Sequence, residues 1–440
     1  MPQLAIFGGK PSVLASQHTR WPVLSTDDKS SVLQVLERGI LSGPFAPEVS
    51  GLEREFSAYV GAKYCLATNS GTAALHLALA ALGVGPGDEV ITPSFTFVAT
   101  ALAVLHQNAV PIFIDIESET LGMDPNLLET AITPRTKAII PVHIHGTPCD
   151  FGRIREIADR HQIPIIEDAC QAHGAQYNGK KVGTLGQMGA FSLQSSKSLA
   201  CGEGGLVVTD NKDLIERASR TRMFGEDIRP ADSDLFRIER ALDSNRSYDS
   251  VTMGWMYRTN EMSAALARSQ LKRLDYWNAN ARRNAEYLSH ELSLLPGITP
   301  PIVPSDRSSC YHKYRIRLDA TKLGVQASPR KVRDAMLQAL VAEGIDAVLW
   351  QSKPVPAQTL FKERLGFGHG VPWTLSSPVD YSISQFPETT RLLDSSLCLF
   401  SHTYPIAAQP LALCEAYVEA FTKLWLKIDE ILAANPDSRA

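Results

Sequence analysis

Short apolar segments alternate with helix-forming segments over residues 64–210, and this alternation restricts the possible folds more than any other feature. The apolar segments are nearly continuous, as is typical of strands buried on both faces of a parallel sheet. The predicted strands are 64–68, 89–93, 110–115, 138–143 and 164–168, and the predicted helices are 73–82, 97–107, 126–132 and 151–161. We therefore expect an α/β fold with a mainly parallel sheet flanked by helices. A ligand in such a fold binds beyond the carboxyl ends of the strands, where Asp115, His143 and Asp168 lie.

The second half of the chain has a different pattern. Residues 226–250 are charged and lack periodicity, which predicts a loop or an insertion. A single long helix is predicted from about 260 to 292, where apolar residues recur at helical spacing until prolines follow. Residues 310–440 mix short strands with helices, which favours a smaller α+β domain. The Pro-, Ser- and Gly-rich segment 353–390 is either a structured loop over a site or a disordered surface excursion, and both remain open.

Composition and charge exclude several classes of protein. The chain has 440 residues, 44% of them hydrophobic, and a formal net charge of −4, which gives no electrostatic basis for binding nucleic acid or an anionic membrane. No apolar segment is long enough to span a bilayer, and the N-terminus lacks the basic and apolar regions of a signal peptide. The seven cysteines are scattered without a Cys-x-x-Cys pair, so we expect reduced thiols, no structural metal and a cytoplasmic protein.

The segment Ser70-Gly71-Thr72 lies between a predicted strand and a predicted helix. A glycine there lets a ligand approach the backbone closely, and the N-terminus of the helix offers unpaired N–H groups and the positive end of its dipole. The hydroxyl of Thr72 can add a further donor. This pattern predicts a cradle for an anion such as a phosphate, although an ordinary N-capped helix is the alternative.

Lys197 and Asp168 follow this cradle in the chain. Asp168 ends an apolar strand, and Lys197 comes shortly before the glycine-rich turn 202–205. A phosphate cradle, an acid and a lysine in this order suggest a site for pyridoxal 5'-phosphate. The lysine amine would form a Schiff base with the aldehyde and then move a proton, while Asp168 would pair with the protonated pyridine nitrogen. The ordinary alternatives are a solvated surface lysine and an aspartate that caps the next turn.

Other polar residues gain candidate roles from the same hypothesis. Gln171 can reach the phenolic oxygen of the cofactor, and Ser192 can donate to its phosphate. His143 is a candidate substrate residue, with a structural role as the alternative. Together with His145 it forms a His-x-His pair, but no third ligand is evident, so we expect no metal.

Three segments together resemble the DegT/StrS sugar aminotransferase family within the fold type I pyridoxal phosphate enzymes. They are Asn69-Ser70-Gly71-Thr72-Ala73-Ala74, Glu167-Asp168-Ala169-Cys170-Gln171-Ala172-His173, and Phe191-Ser192 to Lys197 with Gly202-Glu203-Gly204-Gly205. The resemblance keeps the same order from about residue 4 to beyond residue 400. It implies that Lys197 is the Schiff-base lysine and that Asp168 is the partner of the pyridine nitrogen.

The resemblance also implies the remaining members of the site. The implied cofactor-binding residues are Gly71, Thr72, Phe97, Asp168, Gln171, Ser192 and Lys197. Phe97 resembles the aromatic residue that stacks on the cofactor ring, although the match could fall on Phe95 and a core phenylalanine is the alternative. His312 matches a position near the substrate, with a packing or surface histidine as the alternative.

The implied architecture is a fold type I aminotransferase with a seven-stranded, mainly parallel sheet and a smaller C-terminal α+β domain. We divide the chain into an N-terminal arm (1–30), a large cofactor-binding domain (31–270) and a small C-terminal domain (271–440). The resemblance also implies a homodimer, because the active sites of family members lie between two subunits. Where its members usually carry an Asn that reaches the neighbouring subunit's phosphate, this chain has Met256, whose thioether cannot donate a hydrogen bond. The alternatives are that Arg258 makes this contact, that Asn260 makes it, or that no residue does.

Segments 4–11 and 191–194 resemble members that act on cyclitol ketones such as inososes, and the aminohydroxybenzoate synthase branch is similar. The implied reaction transfers an amino group from glutamine or glutamate to a keto-cyclitol or keto-sugar, in the biosynthesis of an aminocyclitol or amino-sugar natural product. An aminohydroxybenzoate synthase-like reaction remains an alternative because it keeps the lysine. Related sugar dehydratases carry His in place of Lys197. A non-catalytic cofactor-binding regulator is a further alternative, but no segment or basic face is left for a DNA-binding module.

Overall fold

The computed structural model describes residues 3–43, 46–227, 249–376 and 378–434. The strands are β1 (Tyr64–Thr68), β2 (Glu89–Pro93), β3 (Val110–Ile114), β4 (Thr136–Ile139), β5 (Ile166–Asp168), β6 (Gln176–Tyr177), β7 (Lys180–Lys181), β8 (Met188–Ser192), β9 (Gly205–Thr209), β10 (Ile298–Thr299), β11 (Arg307–Ser308), β12 (Tyr314–Leu318), β13 (Ala347–Val348) and β14 (Ser396–Leu399). The α-helices are α1 (Thr26–Arg38), α2 (Pro47–Val60), α3 (Gly71–Ala81), α4 (Ala99–His106), α5 (Pro125–Ala131), α6 (Phe151–Arg160), α7 (Lys212–Arg222), α8 (Glu261–Leu271), α9 (Leu274–Ser293), α10 (Pro329–Ala342), α11 (Thr359–Lys362), α12 (Pro387–Ser395), α13 (Leu411–Trp425) and α14 (Ile428–Ala434). Within these ranges, none of the helices combines the length and the apolar character needed to cross a bilayer.

The central sheet has seven strands in the order β1-β9-β8-β5-β4-β2-β3. Four of them form one hydrogen-bonded sheet and three form another. Parallel bridges between Ile139 and Ile165 and between Val142 and Asp168 join the two sheets. Only β9 runs antiparallel to its neighbours, because the loop 193–204 returns it directly alongside β8 without a crossover helix. These strands confirm the predicted α/β fold with a mainly parallel sheet. The β8–β9 loop also brings Lys197 to the carboxyl end of β8.

The core of the C-terminal half includes the N-terminal arm. Leu4, Val13 and Trp21 are buried in the same apolar cluster as residues of α9, α10 and α13. Glu343 anchors the arm, because its buried carboxylate accepts hydrogen bonds from the backbone N–H of Ala5 at 2.8 Å and from the side chain of Ser12 at 2.7 Å. The arm therefore packs on the C-terminal part of the chain, and the predicted domain boundaries stay a prediction.

The single long helix predicted from 260 to 292 is wrong. Helix α8 ends at Leu271 and α9 begins at Leu274, with Arg273 outside helical geometry at φ −112° and ψ 2°. The guanidinium of Arg273 contacts the buried carboxylate of Asp28, a partner 245 residues away. Apolar residues recur at helical spacing in both helices, in α8 toward the core of the large sheet and in α9 toward the C-terminal cluster, so the sequence pattern alone does not reveal the interruption.

Nearly all of the segment 353–390 belongs to the structure described here, and it is folded. It packs on β3, the edge strand of the sheet, through an apolar cluster of Phe113, Phe361, Trp373 and Tyr381. The hydroxyl of Tyr381 donates to the carbonyl oxygen of Pro111 at 2.7 Å, and it accepts from the indole of Trp373 at 2.9 Å. The alternative of a disordered excursion is therefore wrong for the described residues. Most of the loop predicted at 226–250 lies outside the described residues.

Candidate active site

Lys197 is held by the backbone of the β8–β9 loop. Its N–H donates to Gln194 O at 2.8 Å, and Ser195 N–H donates to Gly202 O at 2.9 Å across the loop. Gly202 has φ +94°, a conformation that favours glycine. Burial lowers the pKa of Lys197, while the neighbouring Cys170 and Asp168 oppose that shift. The amine of Lys197 therefore lies within electrostatic range of the Asp168 carboxylate and loses its proton more easily than a free lysine.

Asp168 ends β5, and its carboxylate is buried. Thr100 Oγ1 in α4 donates to Oδ2 at 2.7 Å, and the backbone N–H of Cys170 donates to Oδ1 at 3.1 Å. The hydroxyl of Thr96 lies 2.8 Å from that of Thr100 and extends the chain of hydrogen bonds. The sequence analysis missed Thr100. Two threonines four residues apart at the start of an otherwise apolar helix were the available signal.

The predicted phosphate cradle brings two chain segments into close contact. Ser70 Oγ caps α3 by accepting from Ala73 N–H at 3.1 Å, which leaves Gly71 as the first residue of the helix. A Cβ atom on Gly71 would lie 2.7 Å from Ser192 Cβ and 3.0 Å from Cys170 Sγ, so only glycine fits. Thr72 follows at a partly exposed position. Gly71, Thr72 and Ser192 therefore lie together at the N-terminus of α3, where an anion is favoured.

The two candidate stacking residues differ in exposure. Phe97 is 55% exposed, whereas Phe95 is 0% exposed. The ring of Phe95 packs edge-on against His145 at 5.6 Å and Trp350 at 5.8 Å. Phe97 is therefore the phenylalanine with a free face for a cofactor ring, and its role stays a prediction.

Gln171 is oriented by a backbone contact. Its Oε1 accepts from the N–H of His145 at 3.0 Å, which leaves the amide NH₂ as the end that can donate. This orientation suits a contact with the phenolic oxygen of the cofactor.

His143 has a structural environment instead of a substrate-facing one. Its Nε2 lies 2.9 Å from Glu167 Oε2, and its Nδ1 accepts from Cys149 N–H at 3.3 Å. Both ring nitrogens are used and the side chain is fully buried, so neither nitrogen is left for a substrate. The structure therefore gives no support to the predicted substrate role of His143.

His312 is buried just before β12, in the C-terminal half of the chain. Burial lowers its pKa far below the usual value, and the charges of Lys197 and Lys313 lower it further. The ring of His402 stands 6.1 Å away, and Lys197 also lowers the pKa of that histidine. His312 is therefore a neutral imidazole close to Lys197, as a residue near the substrate would be. The sequence analysis did not identify His402 or Lys313.

Met256 lines a surface groove together with Asn69, Glu203, Arg258 and Asn260. Asn260 caps α8, because its Oδ1 accepts from Ser263 N–H at 2.9 Å. Its side-chain oxygen therefore already has a structural task, and the cross-subunit contact stays a prediction.

The residues at the carboxyl ends of the strands fit pyridoxal 5'-phosphate. Gly71 packs so closely on Ser192 that a Cβ atom would clash there, and a held carboxylate and a partly buried lysine lie at the ends of neighbouring strands. This fold and this site define a pyridoxal phosphate-dependent enzyme of fold type I.

Comparison with known proteins identifies the family. The family model described as the DegT/DnrJ/EryC1/StrS aminotransferase family matches residues 22–373. The dTDP-3-amino-3,4,6-trideoxy-alpha-D-glucose transaminase of Streptomyces venezuelae is 39% identical over 76% of this chain and 79% of its own length. The L-glutamine:2-deoxy-scyllo-inosose aminotransferase of Micromonospora echinospora is 38% identical over 80% of this chain and 83% of its own.

Solved structures agree with this assignment. The structure of 3-amino-5-hydroxybenzoic acid synthase matches with a TM-score of 0.79 at 29% identity, over 94% of this chain and 100% of the other. The chain belongs to the DegT/DnrJ/EryC1/StrS aminotransferase family, and it is a pyridoxal phosphate-dependent aminotransferase.

Proposed function

We propose that the enzyme transfers an amino group from glutamine or glutamate to a keto-cyclitol or a keto-sugar, in the biosynthesis of an aminocyclitol or amino-sugar natural product. The observation that carries this proposal is a partly buried lysine within electrostatic range of a held carboxylate, the two at the ends of neighbouring strands of the sheet. Relatives named for reactions on a cyclitol ketone and on a nucleotide-linked sugar support the substrate class.

When bound, pyridoxal 5'-phosphate supplies an aldehyde carbon that accepts the amino group from the donor and passes it to the acceptor. Gly71, Thr72 and Ser192 would hold its phosphate with backbone N–H groups and hydroxyls. Phe97 would cover one face of its ring, and Gln171 would donate to its phenolic oxygen.

Lys197 and Asp168 would perform the proton chemistry. The lowered pKa of Lys197 makes a neutral amine available to take a proton from the donor carbon and to return it on the other side of the transfer. Asp168, fixed by Thr100, would hold a proton at the ring nitrogen. An anion about 4 Å from that nitrogen stabilises its charge by about 4 kcal/mol at an effective dielectric constant near 20.

We also propose a homodimer with sites between its subunits, in the cytoplasm. Apolar side chains exposed on α1, including Leu33 and Leu36, and the exposed Met253 are compatible with a partner surface. The large and small domains proposed from the sequence would then border one site per subunit.

The function is tested with labelled donor. The protein loaded with pyridoxal 5'-phosphate is incubated with glutamine carrying ¹⁵N in the α-amino group and with 2-deoxy-scyllo-inosose or nucleotide-linked keto-sugars. We expect mass spectrometry to find the label in an amine of one product. Lys197→Ala should lower turnover by at least about 10³-fold because it removes the base.

The matched control is Lys181→Ala. Lys181 is also a partly buried lysine with a lowered pKa, but its amine donates to Tyr59 O at 2.6 Å, away from the proposed site residues. This variant should keep the wild-type rate. Absence of label from every product, or a Lys197→Ala variant that turns over normally, would contradict the proposed function.

The similarity to 3-amino-5-hydroxybenzoic acid synthase favours a second candidate, in which a cyclic ketone loses water and becomes aromatic. The two candidates differ in the product. An aminated cyclitol keeps its hydroxyl groups, whereas an aromatic product absorbs near-ultraviolet light and has lost the mass of water. Product mass and absorbance therefore separate them in the same incubation.

A further inference from the structure

The segment 94–97 follows β2 at the carboxyl end of the sheet, and it ends with Phe97, the residue proposed to cover the cofactor ring. Phe97 is 55% exposed, so packing restrains its ring less than it restrains the fully buried ring of Phe95. The direction of the Phe97 side chain therefore depends on how the backbone before it is held.

The segment 350–355, which comes shortly after β13, holds the first half of that backbone. The ring of Trp350 packs edge-on against the ring of Phe95, with the two centroids 5.8 Å apart. The backbone N–H of Val355 donates to the carbonyl oxygen of Ser94 at 3.0 Å. These two contacts join residues that lie more than 250 positions apart in the sequence, and they restrain the start of the segment 94–97.

Gln351 makes the contact nearest to Phe97. Its side-chain Nε2 donates to the carbonyl oxygen of Thr96. A carbonyl group and the N–H of the next residue lie in one plane, because the peptide bond has partial double-bond character. The hydrogen bond from Gln351 therefore restrains the whole peptide unit that joins Thr96 to Phe97.

The backbone of Gln351 adopts a conformation that favours other residue types. Its φ is +67°, in the left-handed region where glycine and asparagine are preferred. Its Oε1 atom is buried and has no hydrogen-bond partner in the described part of the chain, which is a further cost of placing the amide there. Folding alone would be served at least as well by glycine or asparagine at this position. The glutamine is explained by the carbonyl group that its amide reaches.

We propose that Gln351 is a positioning residue that holds Phe97 against the ring of the cofactor. This inference rests on the role that the proposed function gives to Phe97. Gln351 itself does not touch the cofactor, and it acts through the peptide unit between Thr96 and Phe97. The segment after β13 thereby contributes to the cofactor site, although it is far from the other site residues in the sequence.

The test measures the dissociation constant of pyridoxal 5'-phosphate by absorbance in the Lys197→Ala protein, where no covalent bond to the lysine masks the ring contact. Gln351→Gly and Gln351→Asn are added to this protein. Both new residues accept a φ of +67°, and neither side chain is long enough to replace the hydrogen bond of the glutamine. We expect each variant to raise the dissociation constant by about 5- to 10-fold, the equivalent of a lost ring contact. The Tm of the cofactor-free protein should change by less than about 2 °C.

A double-mutant cycle identifies the path of the effect. In Phe97→Ala the ring is absent, so Gln351→Asn should change the dissociation constant by less than about twofold. In Thr100→Val the ring is present and only a donor to Asp168 is lost, so Gln351→Asn should keep its full effect.

Gln385→Asn is the matched control. Gln385 belongs to the same part of the chain, and its Nε2 donates to Asp380 Oδ2 at 3.2 Å on the surface. The same change of residue there should leave cofactor binding and turnover unchanged.

Gln351→Glu gives a readout that a packing role would not produce. A carboxylate cannot donate to the carbonyl oxygen of Thr96, whereas the protonated acid can. Relative to the unsubstituted residue, cofactor binding by Gln351→Glu should therefore improve as the pH falls from 8 to 5.5.

The outcomes separate this inference from the proposed function. Normal amination by the wild type, with cofactor binding unchanged in Gln351→Asn or weakened equally with and without the Phe97 ring, overturns the positioning role and leaves the function intact. A fall of the Tm by several degrees in both cofactor-free variants would assign a structural role and overturn it as well. Absence of amination by the wild type with any donor rejects the function, and the binding cycle still decides whether Gln351 acts through Phe97.

Discussion

Two pairs of buried charged side chains can be compared, one in β5 of the central sheet and one at the start of β12 in the smaller sheet. In each pair, the hydrogen-bonding groups of one side chain are fully occupied and those of the other are not. In β5, Glu167 is saturated while its neighbour Asp168 faces Lys197. At β12, Arg315 is saturated while Lys313 is unpaired. Each pair, Glu167 with Asp168 in β5 and Lys313 with Arg315 at the start of β12, therefore contains one charge that is saturated by hydrogen bonds and one that is not. Burial does not distinguish the members of a pair, because all four side chains are buried. They differ in how many hydrogen bonds they already make.

Glu167 shows what saturation means in this fold. Its carboxylate accepts from the ring of His143 at 2.9 Å and from the backbone N–H groups of Gly183, Leu185 and Gly186 at 2.7, 2.6 and 2.7 Å. These bonds fix the turn that leads into β8. A carboxylate with four donors has little capacity left for a ligand.

The largest effect that the comparison predicts separates the two carboxylates of β5. Asp168→Asn should lower turnover by about 10²-fold or more, because an amide does not supply the negative charge that holds a proton at the ring nitrogen. Its unfolding free energy should change little. Glu167→Gln should instead lower the unfolding free energy by about 2–4 kcal/mol, because the amide NH₂ faces N–H donors. Steady-state kinetics and chemical denaturation of both variants check this, and equal rate losses would break the comparison.

The next effect separates Arg315 of β12 from Lys313, which directly precedes that strand. Arg315→Met should lower the unfolding free energy by about 3 kcal/mol, since it leaves the acceptors on His145, Ser396 and Trp350 buried without a donor. Lys313→Met should leave it unchanged or raise it. Denaturation of cofactor-free protein measures both, and a larger loss for Lys313→Met would show that the two cations had been assigned to the wrong roles.

A smaller effect tests how Asp168 is held. Thr100→Val keeps the shape of the side chain but removes the donor 2.7 Å from Asp168 Oδ2. We expect roughly a tenfold loss of turnover, the equivalent of one hydrogen bond to a charged group. Thr100→Ser retains the hydroxyl and should recover most of the rate. An unaffected Thr100→Val variant would mean that the backbone N–H of Cys170 suffices to position the carboxylate.

The smallest effect is a pH dependence. Burial lowers the pKa of Lys313 to about 8 in the folded protein, with further lowering by Lys197 and opposition from Cys398 and Asp346. The unfolded chain, with an ordinary lysine, then binds more protons between pH 8 and about 10.4. Stability should rise with pH in that window by up to about 1.4 kcal/mol per pH unit relative to Lys313→Met. The unfolding free energies of the wild type and of Lys313→Met are measured by denaturation at pH 7, 8 and 9. The same pH dependence in both proteins would contradict the statement that the ammonium of Lys313 is uncompensated.

Much of the large domain was predictable from local sequence. The strands expected at 64–68 and 89–93 have those bounds in β1 and β2, because apolar residues bounded by turn residues specify buried strands locally. The order of cradle, acid and lysine also predicted which strand ends meet, since parallel strands end at one edge of the sheet. Helix α9 is the counterexample, because the chain leaves helical geometry at Arg273 although the apolar periodicity continues across the break.

The sequence by itself determined the alternation of strands and helices and the family, and it predicts Lys197 as the reactive lysine. Only the tertiary structure decided which charged neighbours are saturated, that Phe97 and not Phe95 is exposed, and that His143 belongs to Glu167. The physical reason is distance along the chain. Thr100 reaches an acid 68 residues away and Arg315 an imidazole 170 residues away, so their hydrogen bonds exist only once the sheets are assembled.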